Sequence, residues 1–136
     1  THDQSSAASD VYKRQDLSTA LQRAIEAGDQ VLTAEVMPPR GADPSHMLAM
    51  AASLQGRVHA VNVTDGSRAV MRMSSLASCK LLLEAGLEPV LQMACRDRNR
   101  IALQADLLGA HAWGSATCCV SLAIRCGRAI RRMPGR

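Results

Sequence analysis

Aromatic residues are almost absent from this chain of 136 residues. It has no Phe, one Trp (Trp113) and one Tyr (Tyr12), and both lie towards the ends of the chain. The core of the middle part must therefore be built from aliphatic side chains and Met. Proteins that bind single-stranded nucleic acid stack the bases on aromatic side chains, so this scarcity argues against that class of function.

Long hydrophobic runs are missing as well. No segment approaches the ~20 apolar residues that a membrane-spanning helix needs. The N-terminus lacks the charged and then apolar pattern of a secretory signal. With 47% hydrophobic and 21% charged residues, the composition is typical of one globular domain or part of one. We therefore expect a cytoplasmic protein that has no membrane partner.

The net charge of +4 is unevenly distributed along the chain. The segment from Trp113 onward has no acidic residue and contains five Arg: Arg125, Arg128, Arg131, Arg132 and Arg136. Removing these five charges from +4 leaves −1 for the rest, so we expect no nucleic-acid partner. Three Cys of the same tail lack the C-x2-C spacing of metal sites, and no metal site is predicted. Cys79 and Cys95 are isolated and are predicted to be small buried hydrophobes.

The middle of the chain alternates between apolar runs and helical patterns. The predicted strands are QVLTAEV, which Pro38-Pro39 ends, then VHAVNVTDG and EPVLQMACRD. The predicted helices are DLSTALQRAIEAG, DPSHMLAMAASLQG, SSLASCKLLLEAG and RNRIALQADLLGAHA. Near-continuous apolar strands are typical of parallel sheets buried on both faces. The pattern predicts an α/β fold, either a doubly wound sheet or a (βα)8 barrel. No G-x-G-x-x-G motif follows any strand, which argues against a doubly wound sheet of the dinucleotide-binding kind.

Each predicted strand has a polar residue near its C-terminal end. These residues are Glu35, Thr64 and Gln92. Side chains alternate along a strand, so Glu35 shares a face with Thr33, and Thr64 shares one with Asn62. Active sites of barrels are built at the C-terminal ends of the strands. Glu35 is therefore a candidate general acid. The alternative is that all three are polar strand ends bonded to neighbouring loops.

Other polar residues give weaker candidates. The segment Thr64–Arg68 is a polar loop after a strand, and it serves either as a simple turn or as a substrate loop. The charge cluster Arg96–Arg100 lies at a strand-to-helix turn and either holds a phosphate or faces solvent. His46 and His59 flank a helix, and ordinary surface histidines are favoured there over metal ligands.

Three stretches of the chain resemble the methylenetetrahydrofolate reductase family. They are TAEVMPPRG, HAVNVTDGSRAVMRMSSLASCKLLLEAGLEPVLQMACRDRNR and LQADLLGAHA, and the Glu-x-x-Pro-Pro at Glu35–Pro39 is the most specific piece. The resemblance covers about residues 16–112. It implies the N-terminal βα units of a truncated (βα)8 TIM barrel that binds FAD. It also implies transfer of a hydride from NAD(P)H to 5,10-methylenetetrahydrofolate, which yields 5-methyltetrahydrofolate.

The resemblance also implies roles for the three polar residues. Glu35 matches the family's acidic residue, which protonates the folate so that its ring opens to an iminium. Thr64 matches a position that contacts the flavin. Gln92 matches a strand position that is often His and also lies at the flavin. The implied partners are a folate substrate and, for the parent enzyme, further copies in a homo-oligomer.

The two ends differ from the middle. Residues 1–15 contain DVYKRQ, which resembles the translation of a transposase end sequence used in preparing sequencing libraries, so we predict a non-native leader. After Ala112 the family expects a fourth strand of the form LGIRNVLCLTGDP. Codons compatible with the observed residues give LGIRNVLCL when the frame moves by one base. We therefore predict that residues 113–136 are a frameshifted tail.

These boundaries lead to an expectation about activity. Three βα units cannot close an eight-stranded barrel, and their sheet keeps open edges. We expect this polypeptide to be marginally stable and inactive, although its family is one of oxidoreductases. The alternative function is a small binding module whose Arg-rich tail grips nucleic acid or acidic partners.

Overall fold

The computed structural model describes residues 19–115 and 117–121. Strands alternate with helices along this part of the chain. The helices are α1 (Ala20–Ala27), α2 (Ser45–Ala52), α3 (Ser75–Glu84) and α4 (Arg100–Ala112), with a short 3-10 helix at Ser67–Ala69. The strands are β1 (Thr33–Val36), β2 (Ala60–Val63), β3 (Pro89–Ala94) and β4 (Thr117–Ser121). None of the described helices is long and apolar enough to cross a membrane.

The four strands form one parallel sheet in the order β1-β2-β3-β4. Each strand therefore lies beside the next strand in the sequence. A doubly wound sheet reverses its strand order at a switch point, and no reversal occurs among these four strands. The order confirms the α/β prediction and is that of truncated βα units of a TIM barrel.

The prediction of only three strands is wrong. β4 lies inside the segment that the sequence predicted to be a frameshifted tail, and it pairs with β3 from Val90↔Thr117 to Ala94↔Ser121. A strand forms there because a five-residue segment that includes the β-forming residues Thr117 and Val120 can pair with the open edge of β3. The reading frame is a property of the DNA, so the frameshift stays a prediction. The leader and the tail arginines lie outside the described residues.

Three helices begin at the polar residues that their sequences offer as caps. The side chains of Thr19, Ser74 and Asn99 each accept a hydrogen bond from the backbone N–H three residues later, at 3.0, 3.2 and 2.9 Å. Such bonds satisfy N–H groups that have no partner within the helix. Before α2, Asp43 Oδ1 accepts a hydrogen bond from the backbone N–H of Ser45 at 2.9 Å, one residue beyond Pro44.

One face of the sheet packs against helices and forms the core. Its strand residues are at most 2% exposed: Val36, Val61, Val63, Leu91 and Met93. Met47 of α2 and Leu82 of α3 cover them. The core is thus aliphatic and Met-based, as predicted. The opposite face carries Glu35, which is exposed, and the half-buried Asn62 and Gln92, so it is not fully buried as the apolar strands had indicated.

Cys79 belongs to this core and is 1% exposed, which confirms its prediction as a buried hydrophobe. Burial, together with the nearby Cys118, raises the pKa of the Cys79 thiol to about 12. Cys95 is only half-buried. Cys79 therefore stays protonated at neutral pH and contributes through packing.

Candidate functional site

Glu35 and Gln92 lie on the face of the sheet that the helices leave open. Glu35 pairs in register with Asn62, which in turn pairs with Val90. Gln92 follows Val90 by two residues and therefore shares its face. The Asn62 side chain donates to Thr33 Oγ1 at 3.3 Å, which fixes its orientation. Strand register thus brings Glu35 and Gln92 to one face of the sheet.

Thr64 follows β2 directly and is only 7% exposed. Its backbone N–H donates to the carbonyl of Val36 at 3.3 Å, so it continues the pairing between β1 and β2. Within the described part of the chain, its hydroxyl oxygen Oγ1 is buried without a hydrogen-bond partner. An unpaired buried hydroxyl costs about 1–3 kcal/mol, and native proteins contain few of them. The described residues hold four further such atoms, Arg72 Nε and the hydroxyl oxygens of Ser75, Ser78 and Ser115. Of these five residues, Thr64 alone directly follows a strand.

The loops after β1 and β2 are joined at the carboxyl edge of the sheet. Arg72 Nη1 donates to the carbonyl of Pro38 at 2.8 Å. The backbone N–H of Met73 donates to the carbonyl of Pro39 at 2.8 Å. Proline cannot donate a backbone hydrogen bond but keeps its carbonyl acceptor, and here both proline carbonyls accept from the next loop. The two prolines that end β1 thus also hold the loop that follows β2.

The loops after β2 and β3 are joined by a network of three charged residues. Asp65 pairs with Arg98, and Arg98 Nε also donates to Asp106 Oδ2 of α4 at 3.1 Å. Asp65 Oδ2 accepts the backbone N–H of Ala94 at 2.8 Å. The hydrogen bond with Asp65 raises the pKa of Arg98 further above its usual range. The sequence analysis treated these residues as a turn and a charge cluster, and it missed the network.

Arg96 and Asp97 form a second ion pair, which is exposed. Arg96 Nη2 lies 2.6 Å from Asp97 Oδ2 and 3.2 Å from the carbonyl of Gly66. The hydrogen bond lowers the pKa of Asp97 and raises that of Arg96. Because Arg96 and Arg98 both pair with carboxylates, this part of the predicted charge cluster carries little uncompensated positive charge.

A cleft of about 510 Å³ lies between the loops after β2 and β3, lined by residues within 65–74 and 96–98. The backbone of the first loop is strained. Arg68 has φ 61° and Ala69 has φ 54°, and the left-handed conformation costs about 1–2 kcal/mol for a residue with a Cβ atom. Such strain tends to cluster at functional sites. It supports the interpretation of this segment as a substrate loop rather than as a simple turn.

The two histidines that flank α2 have different surroundings. His59 lies just before β2, where its Nδ1 accepts the backbone N–H of Leu32 at 3.1 Å. His46 lies in the first turn of α2. Among residues 19–115 and 117–121, no group of three or more His, Cys, Asp or Glu side chains is placed to hold a metal ion.

Comparison with known proteins identifies the family. The family model described as methylenetetrahydrofolate reductase matches residues 20–126, which is more than half of the chain. The match includes Glu35, Thr64 and Gln92 and continues beyond Ala112 through β4. No individual curated protein matches the chain. The family match and the parallel βα units together show that the chain belongs to the methylenetetrahydrofolate reductase family.

Proposed function

We propose that the open face and the carboxyl edge of this sheet bind FAD for the reduction of 5,10-methylenetetrahydrofolate to 5-methyltetrahydrofolate. The observation that carries the proposal is the buried, unpaired hydroxyl of Thr64. It lies at the end of β2, between the strand that bears Glu35 and the strand that bears Gln92. A ligand that offers a hydrogen-bonding atom there would satisfy Thr64.

The residues at this edge fit a flavin. An isoalloxazine ring has an apolar body and a rim of hydrogen-bonding atoms, and cofactor sites combine apolar surface with a few placed polar groups. Thr64 supplies a hydroxyl, and Gln92 supplies an amide that both donates and accepts. FAD, when bound, carries the hydride from NAD(P)H to the folate. Thr64 and Gln92 are the residues that would hold it.

Glu35 is the proposed acid. Its side chain is exposed on the open face, where a folate can reach it, and it is one strand away from Thr64. A general acid must lie within hydrogen-bonding reach of the atom that it protonates. We assign Glu35 the delivery of a proton to the folate nitrogen that leaves as the ring opens.

The polypeptide of residues 1–136 is proposed to be inactive when expressed alone. In the described part of the chain, β1 and β4 each pair on one side only. Four strands do not enclose a site, so water would reach the folate and the nicotinamide that must approach the flavin. Enclosure matters because an active site that excludes water strengthens its electrostatic interactions.

Flavin titration of the purified chain tests the proposal. We expect saturable FAD binding with an induced visible circular dichroism spectrum, and no NADH-dependent reduction of an artificial electron acceptor. Thr64→Val keeps the shape of the side chain but removes the hydroxyl, so it should weaken FAD binding at least tenfold. Thr64→Ser keeps the hydroxyl and is the matched control. A chain that bound no FAD would refute the flavin assignment, and NADH-dependent turnover would refute the proposed inactivity.

A further inference from the structure

Asp65 connects the two strand ends that carry Thr64 and Gln92. It follows Thr64 directly, and its side chain is 10% exposed. Its Oδ2 accepts the backbone N–H of Ala94 at 2.8 Å. Ala94 ends β3 two residues after Gln92. The Asp65 carboxylate, in the loop after β2, therefore fixes the position of the end of β3 relative to Thr64.

Arg98 holds that carboxylate in place. Its Nη1 pairs with Asp65 Oδ2, and its Nη2 lies 3.4 Å from Asp65 Oδ1. Its Nε donates to Asp106 at 3.1 Å. The planar guanidinium presents several donors in a fixed geometry, so it fixes the direction of both carboxylates. The loop after β2, the loop after β3 and helix α4 are thereby joined through one side chain.

Two other ion pairs of the described region are exposed and join residues that are close in the chain. Arg96 and Asp97 are adjacent in the chain, with side chains 38% and 61% exposed. Lys80 and Glu84 lie one turn apart on α3, with side chains 39% and 58% exposed. Exposed pairs contribute little, whereas removing one partner of a buried pair leaves a charge without compensation. Unlike these two pairs, Asp65–Arg98 is shielded from solvent and joins separate elements.

We infer that Asp65 and Arg98 are a positioning pair for the flavin site, which hold Thr64 and Gln92 at the separation that the cofactor requires. The inference rests on the proposed function, since it assumes that Thr64 and Gln92 contact FAD. Neither Asp65 nor Arg98 is assigned a contact with the reacting atoms. Their effect on the flavin passes through the backbone at Thr64 and Ala94.

The test compares Asp65→Asn with Glu84→Gln in the full chain. Both substitutions turn a carboxylate into an amide and remove one ion pair. Asparagine at position 65 can still accept from the N–H of Ala94 but no longer compensates Arg98. We expect Asp65→Asn to weaken FAD binding at least tenfold and to change the visible circular dichroism of the bound flavin. Glu84→Gln should leave the affinity within twofold and the spectrum unchanged.

A second variant tests the inference if Asp65→Asn does not fold. Arg98→Lys keeps the positive charge beside Asp65 but loses the planar fork that reaches Asp106, so it should also change the flavin spectrum. Far-ultraviolet circular dichroism shows which variants are folded. If Asp65→Asn is unfolded, Arg98→Lys decides alone.

The possible outcomes separate this inference from the proposed function. An unaltered chain that binds no FAD refutes the proposed function and removes the basis of the inference. An unaltered chain that binds FAD, with folded variants of the same affinity and spectrum, overturns the positioning role alone. Weaker binding with an unchanged flavin spectrum also overturns it, since a merely stabilising pair gives that result.

Discussion

At each of the two edges of the sheet, a carboxylate accepts hydrogen bonds from backbone N–H groups, but the two carboxylates have different roles. At the amino edge, Glu88 precedes β3 and accepts the backbone N–H groups of Ala20 at 2.7 Å and Leu21 at 3.4 Å, so it caps α1 from a distant part of the chain. At the carboxyl edge, Asp65 accepts the N–H of Ala94. There it lies beside the unpaired hydroxyl of Thr64.

The difference between the edges lies in what surrounds each carboxylate. Glu88 satisfies helix N–H groups that would otherwise lack partners. Asp65 is followed by the strained residues Arg68 and Ala69 and lines the cleft of about 510 Å³ between the loops after β2 and β3. Barrels place stability at the N-terminal face and activity at the C-terminal face. In this chain the carboxylate at the amino edge caps a helix, whereas the carboxylate at the carboxyl edge lies beside a strained loop and the unpaired hydroxyl of Thr64.

Removing a side chain from the core should lower the free energy of unfolding of the whole sheet. This loss is the reference against which the smaller effects below are compared. Leu91 is fully buried at the centre of β3. Leu91→Ala should lower the free energy of unfolding by about 2–5 kcal/mol, because it leaves a cavity as well as removing apolar contact. Urea denaturation measures the change. Leu108→Ala, at a side chain 73% exposed, should stay within about 0.5 kcal/mol. Equal effects at the two positions would contradict the assigned core.

Glu88→Gln should separate the amino edge from the carboxyl edge. The neutral amide binds the two N–H groups of α1 more weakly and no longer complements the positive end of the helix dipole. We expect a loss of about 1–2 kcal/mol in the free energy of unfolding. FAD affinity, measured on the folded fraction, should stay within twofold. A loss of affinity that exceeds the loss of folded protein would show that the two edges are coupled.

The sequence predicted the elements better than it predicted the connections between them. Alternation along β1 was sufficient to place Glu35 on the same face as Thr33. Helical periodicity marked the segments that form α1, α2, α3 and α4. These signals are local, since they depend on residues within a few positions of each other.

The missed features all depend on residues that are distant in the chain. Glu88 caps a helix that begins 68 residues earlier, and Asp65 meets Arg98 across 33 residues. β4 was missed because a run of five residues becomes a strand only through pairing with β3. The burial of Thr64 depends on the packing of a loop, which strand alternation does not describe.

The strain at the carboxyl edge predicts the smallest effect, and its sign is diagnostic. Ala69 has φ 54°, a conformation that glycine adopts without cost. Ala69→Gly should therefore raise the free energy of unfolding by about 0.5–1 kcal/mol, after the greater freedom of glycine in the unfolded chain offsets part of the relief. The same change at Ala105, in the middle of α4, should lower it by about 0.5–1 kcal/mol.

Urea denaturation of the two variants side by side measures this difference in sign. If the strain serves the ligand site, Ala69→Gly gains stability without gaining affinity for FAD, because the relaxed loop no longer favours one arrangement beside Thr64. A loss of stability in Ala69→Gly as large as that in Ala105→Gly would show that position 69 is not held in the left-handed conformation. The carboxyl edge would then carry less strain than assigned, and its contrast with the amino edge would rest on Thr64 and Asp65.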